Sequence, residues 1–491
     1  MFYWNESNAD VTARYIVISA AGKDIRIKEM CAVNADNEPI KPVNVSDADV
    51  SAMFDEQELV PERASFRNGT YFDEIYHART AYEFIHHGEI YEWTHPPLGK
   101  LIISLGIMIF GMCPFGWRIA GTVFGILMVP VIYIFAKRMF KQSWLAVVTC
   151  LLFTFDFMHF AQTRIATIDV YVTFFIILMY YFMYRYTQMS FYDTPLRKTL
   201  APLALCGISM GLGIASKWTG VYAGAGLAVI FFCVLIRRYN EYRYALQTPD
   251  GETDGIKHSY VTENFKPYAV RTIIWCCIFF IAVPALIYCA SYIPYMLTPS
   301  GSGLKTVVKN MEEMYTYHAK TVLGSTHPYS SMWYQWPVMY KPIWFYSGTI
   351  SDGLKEGISS FGNPAVWWTG IAAFMYTFYR AVIKSDKTSM FLTVAYLAQL
   401  IPWIPVSRLT FIYHYFPSVP FVALMIGYSL CAIYKDCTTE KGKTAFMYSA
   451  FAYTALAVTL FIMFYPVLSG QPCSPEYVSH WLRWFPTWVL I

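Results

Sequence analysis

From residue 98 onward the chain is built of apolar runs, most of them near the about 20 residues that a helix needs to cross a bilayer, separated by short polar links. The runs fall near 116–136, 143–160, 167–184, 200–216, 218–236, 271–292, 364–379, 389–406, 411–434 and 445–468, and they predict ten transmembrane helices. A further run, 101–112, is apolar but only about half the spanning length. It is expected as a short helix on the outer surface, held by Lys100 on one side and Pro114 on the other. Basic residues mark alternate connections: Lys137, Arg138 and Lys141; Arg185, Arg197 and Lys198; Arg237, Arg238 and Arg243; Arg380, Lys384 and Lys387; and Lys435, Lys441 and Lys443. The positive-inside rule makes those links cytoplasmic, so the first span starts outside and the tail after residue 468 also lies outside.

The first 70 residues follow a different pattern. Arg14–Ile18 and Asp24–Lys28 alternate polar and apolar positions around Ala20-Ala21-Gly22, which predicts short strands of a half-buried antiparallel sheet. The start, MFYWNESNAD, has neither the basic nor the apolar region of a signal peptide. The expected division is a β-rich extracytoplasmic segment, 1–70, and a membrane domain, 71–491, whose large outer loops are 71–115 and 293–363.

Composition narrows the class. With 56% hydrophobic and 14% charged residues, a soluble monomer of 491 residues would expose large apolar patches, whereas a polytopic, all-α membrane protein would not. The net charge of +4 is spread over the ends of apolar runs, which argues against nucleic acid as a partner. Most of the 11 cysteines lie inside apolar runs with neither metal-ligand spacing nor a disulfide pattern, so neither a metal nor another cofactor is expected. Under the predicted topology Asp73, Glu74, His95, Arg118, Arg164, Asp169, Lys217 and Arg408 gather on the outer side. A transporter would place charges near the midplane and in repeated halves, and no repeat is visible. Charges at one surface suit an amphiphilic substrate whose tail stays in lipid, and a lipid-linked phosphate is the natural candidate.

Read together, Asp73-Glu74, HPPLGK from His95, Arg118, TRIATID from Thr163, SKWTG from Ser216, HPYSSMWYQWPVMYKPIWFY from His327, GNPAVWW from Gly362 and VSRLTFIYHYFPSVPF from Val406 resemble the protein O-mannosyltransferase family. The resemblance runs in matching order from about Tyr71 to the C-terminus. It implies the GT-C glycosyltransferase fold and transfer of a sugar, mannose in the first instance, from a polyprenyl-phosphate carrier to Ser or Thr hydroxyls of exported proteins. No nucleotide sugar is implied. A transferase acting on a lipid or cell-wall glycan, or a flippase for lipid-linked sugars, are the alternatives. The run from Ala13 to Ile40 also resembles the last strands of a discoidin-like β-sandwich. Family members carry a span before the acidic pair that is missing here, which predicts an N-terminally truncated chain. They also more often carry His three residues after the Asp, where this chain has Tyr76, with His77 one later.

Residue chemistry assigns the roles. A hydroxyl nucleophile needs a base, and a positioned carboxylate supplies roughly 10²- to 10⁴-fold; Asp73 is the candidate. Glu74 is placed beside it in the catalytic pair, to orient the acceptor or tune Asp73. Arg118, Lys217 and Arg408 are expected to face the phosphate as it gains charge. His95, Lys100, Arg164 and Asp169 complete the expected substrate-binding set, with Asp169 paired to Arg164 or a loop cation. Trp333, Trp336 and Trp344 offer flat faces to a sugar or peptide.

Overall fold

A computed structural model describes residues 4–7, 11–12, 27, 29–34, 36, 38–40, 53–248, 258–324, 326–350 and 353–491. They divide into two compact units, Met1–Tyr71 and Phe72–Ile491. In the first unit β1 (Ala32–Val33) pairs antiparallel with β2 (Pro39–Ile40), Ala32 opposite Ile40. The Asn34 side-chain oxygen accepts from the backbone of Asp36 and Glu38 and closes the turn between them. The strands expected at 14–18 and 24–28 lie outside the described residues, Ile27 excepted.

The second unit is mostly helical and opens with α1 (Glu74–Ile85), α2 (Leu98–Phe110) and α3 (Pro114–Phe140). Pro114 suits the first turn of α3 because its missing N–H would have no partner there, and Lys137 and Arg138 complement the dipole at the other end. Helices α4 (Ser143–Thr154) and α5 (Phe157–Thr163) meet at 60°. The break is local chemistry: Asp156 takes extended backbone, and its carboxylate accepts from the N–H groups of Met158 and His159 to begin α5. There follow α6 (Asp169–Thr187), α7 (Leu196–Ser216), α8 (Gly220–Gln247) and α9 (His258–Ser291).

Beyond α9 the long polar stretch holds α10 (Lys305–Thr316) and a hairpin, β3 (Ile343–Thr349) with β4 (Lys355–Ser360). This hairpin corrects the all-α expectation. The chain closes with α11 (Pro364–Ile383), α12 (Lys387–Leu400), α13 (Ile412–Asp436) and α14 (Glu440–Ser469).

The chain is a multi-span membrane protein, but ten spans is too many. Among the described residues six helices, α3, α7, α8, α9, α13 and α14, are long and apolar enough to cross, and seven if the bent pair α4 and α5 counts as one. The other three expected spans do form helices. Asp169, Arg185 and five tyrosines lower the hydropathy of α6, and paired Trp and Tyr residues with Arg380 lower that of α11. With 14 residues α12 is too short, since a rise of about 1.5 Å per residue leaves it well under the ~30 Å hydrocarbon core. Helix α6 has protein neighbours in α3, α7 and α8, and most of it is buried. A helix walled in by other helices has little need of a lipid-compatible surface.

Two close approaches fix the part of the fold that carries the polar groups. A Cβ on Gly106 would lie 2.3 Å from the Gly116 carbonyl, so α2 and α3 cross with backbones nearly touching. A Cβ on Gly99 would meet Ile168 at 2.6 Å, which seats the HPPLGK turn directly against the start of α6.

Candidate active site

The first turn of α1 is entered through Phe72, whose φ of 48° is uncommon for a side chain of that size. Its ring lies 4.4 Å from Phe345 of β3 and 6.2 Å from Tyr413 of α13, so packing from two distant segments holds the strained residue. The next two residues are Asp73, at the N-cap, and Glu74. They occupy opposite environments.

Glu74 is fully buried and saturated. Arg118 grips it with Nε and Nη2, each at 2.7 Å; the Trp117 indole donates at 3.3 Å and the Ala166 backbone at 3.0 Å. This bidentate pair ties α1 to α3 and to the turn before α6. Asp73 keeps part of its surface accessible, and its carboxylate makes neither a hydrogen bond nor an ion pair with the described residues. Protein surrounds it even so, and its carboxyl is pushed up to about 7, by burial first and then by the negative charge of Asp169, with Lys217 opposing. A partly accessible carboxylate whose pKa is pushed up to about 7 can take and return a proton.

Asp169, in the first turn of α6, pairs with Lys217 at 2.7 Å. Lys217 caps the C-terminus of α7, and its ammonium stands 5.7 Å from the Tyr413 ring. Of the two partners expected for Asp169, a loop cation is the one found, and Arg164 is elsewhere: it donates to the carbonyls of Leu468 and Ser469 at the end of α14 and covers Phe160. Those carbonyls lie at a helix C-terminus, where a guanidinium is favoured.

Arg408 bonds only weakly, Nη1 to the Leu409 carbonyl at 3.4 Å, and has no carboxylate partner among the described residues. Burial lowers its pKa first; Tyr413, Tyr222 and Tyr317 stand close enough to oppose that.

The loop from 92 to 100 is organised around a carboxylate that sequence reasoning missed. Lys100, 1% exposed, donates to Glu92 Oε2 at 2.6 Å and to the carbonyls of Glu92 and His95. It is therefore not a surface anchor for α2, because its ammonium turns inward. Glu92 also accepts from the Thr94 backbone at 2.8 Å, from the Thr94 hydroxyl, and from His95 Nδ1 at 3.2 Å, while His77 Nδ1 stands 3.9 Å away. These contacts hold Glu92 well below the usual carboxylate range although burial opposes them. His318, past the end of α10, donates Nε2–H to the Thr94 carbonyl at 2.9 Å. The spacing of Glu92, His95 and Lys100 was visible in the sequence, but it has no meaning until the loop closes on itself.

Asp73, Glu74, His95, Lys100, Asp169, Lys217 and Arg408 thus stand at one end of the bundle, with Arg118 bonded to Glu74 and Arg164 turned to the end of α14. Trp336 is buried against His414 and Trp403, so it serves packing.

Two family profiles match the chain in order. Residues 94–246 match dolichyl-phosphate-mannose-protein mannosyltransferase, and residues 304–488 match the C-terminal four-membrane-segment region of protein O-mannosyltransferase. The chain belongs to the protein O-mannosyltransferase family. The second matched region contains α11 to α14.

The polyprenol-phosphate-mannose–protein mannosyltransferase of Mycolicibacterium smegmatis is 23% identical over 467 residues, covering 85% of this chain and 87% of the relative. The enzyme of the same name from Corynebacterium glutamicum is 25% identical, covering 80% and 81%. Among solved structures, the Saccharomyces cerevisiae Pmt1–Pmt2 protein O-mannosyltransferase complex bound to its sugar donor superposes with a TM-score of 0.71 at 13% identity, over 86% of this chain and 90% of that one. At that identity the likeness shows the fold, which is GT-C-like.

Proposed function

We propose that this member of the protein O-mannosyltransferase family transfers mannose from polyprenyl-phosphate-mannose to hydroxyls of exported proteins, with the site on the extracytoplasmic face. The observation that carries the mechanism is the contrast within one turn of α1: Glu74 is fully bonded, while the Asp73 carboxylate has no partner among the described residues and has a raised pKa.

In this reading a Ser or Thr hydroxyl of the acceptor approaches Asp73, which takes its proton as the hydroxyl oxygen bonds to C1 of mannose. The bond from C1 to the phosphate oxygen breaks, and its electron pair leaves on the polyprenyl phosphate. Arg408 is the cation with most free donor capacity for that phosphate, and Lys217 adds positive charge while held by Asp169. Arg118 serves the phosphate less than it serves the turn, since Glu74 occupies two of its donor nitrogens.

The test is incubation of the purified protein with labelled polyprenyl-phosphate-mannose and a Ser/Thr-rich acceptor. The expected products are free polyprenyl phosphate and an acceptor heavier by one hexose. Sugar appearing on a lipid or glycan acceptor alone would overturn the protein-acceptor part, and movement of intact donor across vesicles without bond cleavage would overturn transfer altogether.

A further inference from the structure

The polar end of the bundle holds two imidazoles to which the transfer step gives no task, and one carboxylate faces both. Glu92 Oε1 accepts from His95 Nδ1 at 3.2 Å, and Glu92 Oε2 lies 3.9 Å from His77 Nδ1. The carboxylate is fixed there by Lys100 at 2.6 Å and by the Thr94 backbone at 2.8 Å. A carboxylate bonded to His95 Nδ1 keeps the proton on that nitrogen and leaves the lone pair on Nε2, whereas His77 Nδ1, 3.9 Å from Glu92, is buried without a hydrogen bond among the described residues. Neither Nε2 has a hydrogen-bond partner among the described residues. The rings stand 6.0 Å apart, centre to centre, and His95 leaves 24% of its side chain open.

Charge decides what these nitrogens can hold. Burial lowers the pKa of His77 to about 3 and also brings His95 below its usual value, so both rings are neutral at physiological pH. A neutral ring with a bare nitrogen offers nothing to a phosphate, and the Glu92 charge behind it repels one. Such a ring accepts a hydrogen bond from a hydroxyl. A sugar carries several hydroxyls close together, and Asp73 stands near enough to Glu92 to feel its charge.

We propose that His95, oriented through Glu92, and the neighbouring His77 ring form an acceptor subsite for hydroxyls of the transferred sugar. The subsite rests on the polyprenyl-phosphate-mannose reading above. Glu92 acts through the His95 ring and is a positioning residue.

The experiment compares kcat/KM for polyprenyl-phosphate-mannose and its singly deoxygenated analogues in the parent, His77→Ala, His95→Ala and Glu92→Gln proteins. The parent should disfavour at least one deoxy donor by about tenfold or more, the consequence of leaving an acceptor unpaired. In His95→Ala or His77→Ala the discrimination at that hydroxyl should shrink to within about threefold, the range of a lost neutral hydrogen bond already absent from both donors. Glu92→Gln keeps both rings; with Lys100 holding the amide oxygen at the Oε2 position, the N–H₂ faces His95 Nδ1, so the proton of that ring moves to Nε2 and the discrimination made through His95 disappears. Nitrogen-15 imidazole spectra would show that tautomer change, which a merely structural role would not produce. Should Glu92→Gln fail to fold, the two alanine variants decide. If the parent transfers mannose and both alanine variants keep its full discrimination at every hydroxyl, the subsite is wrong. If the parent accepts no polyprenyl-phosphate sugar at all, the functional reading fails and the subsite falls with it.

Discussion

Two carboxylates at breaks between helices are treated in opposite ways. At the bend between α4 and α5, Asp156 is 0% exposed and satisfied on both oxygens: Oδ1 accepts from Met158 and His159 backbone at 3.1 and 3.2 Å, and Oδ2 from the Asn363 backbone at 3.1 Å and the Trp367 indole at 2.9 Å. At the start of α1, Asp73 has protein around it and no donor aimed at it. A carboxylate surrounded by protein and without donors among the described residues is costly, so the fold must maintain that arrangement through other contacts. The neighbouring Glu74 lock and the wedge of Phe72 between Phe345 and Tyr413 supply them. Asp156 is bonded as a structural element is, and Asp73 is left available for a substrate.

The largest expected effect follows at once. Asp73→Asn keeps the shape and removes the basicity, so transfer should fall by roughly 10²- to 10⁴-fold. Thermal stability should hold or rise, because a charge that the fold does not bond is gone. Single-turnover transfer and melting of the same purified protein check both halves. Transfer within about threefold of the parent, far short of a missing base, would move the search to Asp169.

Next in size is the lock. Arg118→Ala leaves Glu74 buried with two of its bonds lost, and breaking one partner of a buried pair costs about 3 to 5 kcal/mol. The melting temperature should drop sharply and transfer should fall with the folded fraction. Arg118→Lys restores the charge without the two-pronged grip, so it should recover stability only in part. A stable Arg118→Ala protein that has lost only donor binding would return Arg118 to the phosphate and break the distinction drawn between the two neighbours.

A smaller effect comes from pH. The active base is the carboxylate, and its pKa of about 7 means that kcat/KM should rise roughly tenfold from pH 6 to pH 8, the change in ionised fraction across one such group. Stability runs the other way. The folded pKa is raised above 3.8, so this group's contribution is fully present below that value and is lost as pH climbs to about 7. Asp169, Lys217 and Glu92 are the charged groups that act on it. In Asp73→Asn both trends should flatten. A midpoint near 4 in the parent would show that Asp73 is solvated in the way an ordinary surface carboxylate is.

The residues of the site, though not this contrast, were legible before the structure. The acidic pair, the HPPLGK turn and the cations at helix ends stand out because polar residues are rare in an apolar chain, and periodic charge made their shared side predictable. Pairings were not legible, because they depend on which segments meet. Asp169 found Lys217, 48 positions away, instead of nearby Arg164; Arg164 found the far end of α14; and Glu92, an unremarkable residue in the sequence, became the centre of a loop once Lys100 turned inward. The hairpin of β3 and β4 was hidden for a related reason. Its aromatic strand, Ile343-Trp344-Phe345-Tyr346, reads equally well as an interfacial loop. The overcount of spans came from treating any apolar run as lipid-facing, whereas α6 is apolar because its neighbours are protein.

The smallest effect is the control on the other carboxylate. Asp156→Asn would keep one oxygen for two of its four donors but set an amide N–H₂ against the other two. The mismatch should cost about 1 to 3 kcal/mol, the range for a buried group left unsatisfied, and it should be felt where the bend joins Asn363 and Trp367 of the α11 start. Since Asp156 has neither a free lone-pair direction nor a strained neighbour to keep it available, transfer per folded molecule should stay within about threefold of the parent, well inside what a lost base would produce. Melting curves and transfer rates corrected for folded fraction separate the two quantities. A variant that melts as the parent does yet loses transfer a hundredfold would mean that full hydrogen bonding does not mark a carboxylate as structural, and the argument that singles out Asp73 would lose its footing.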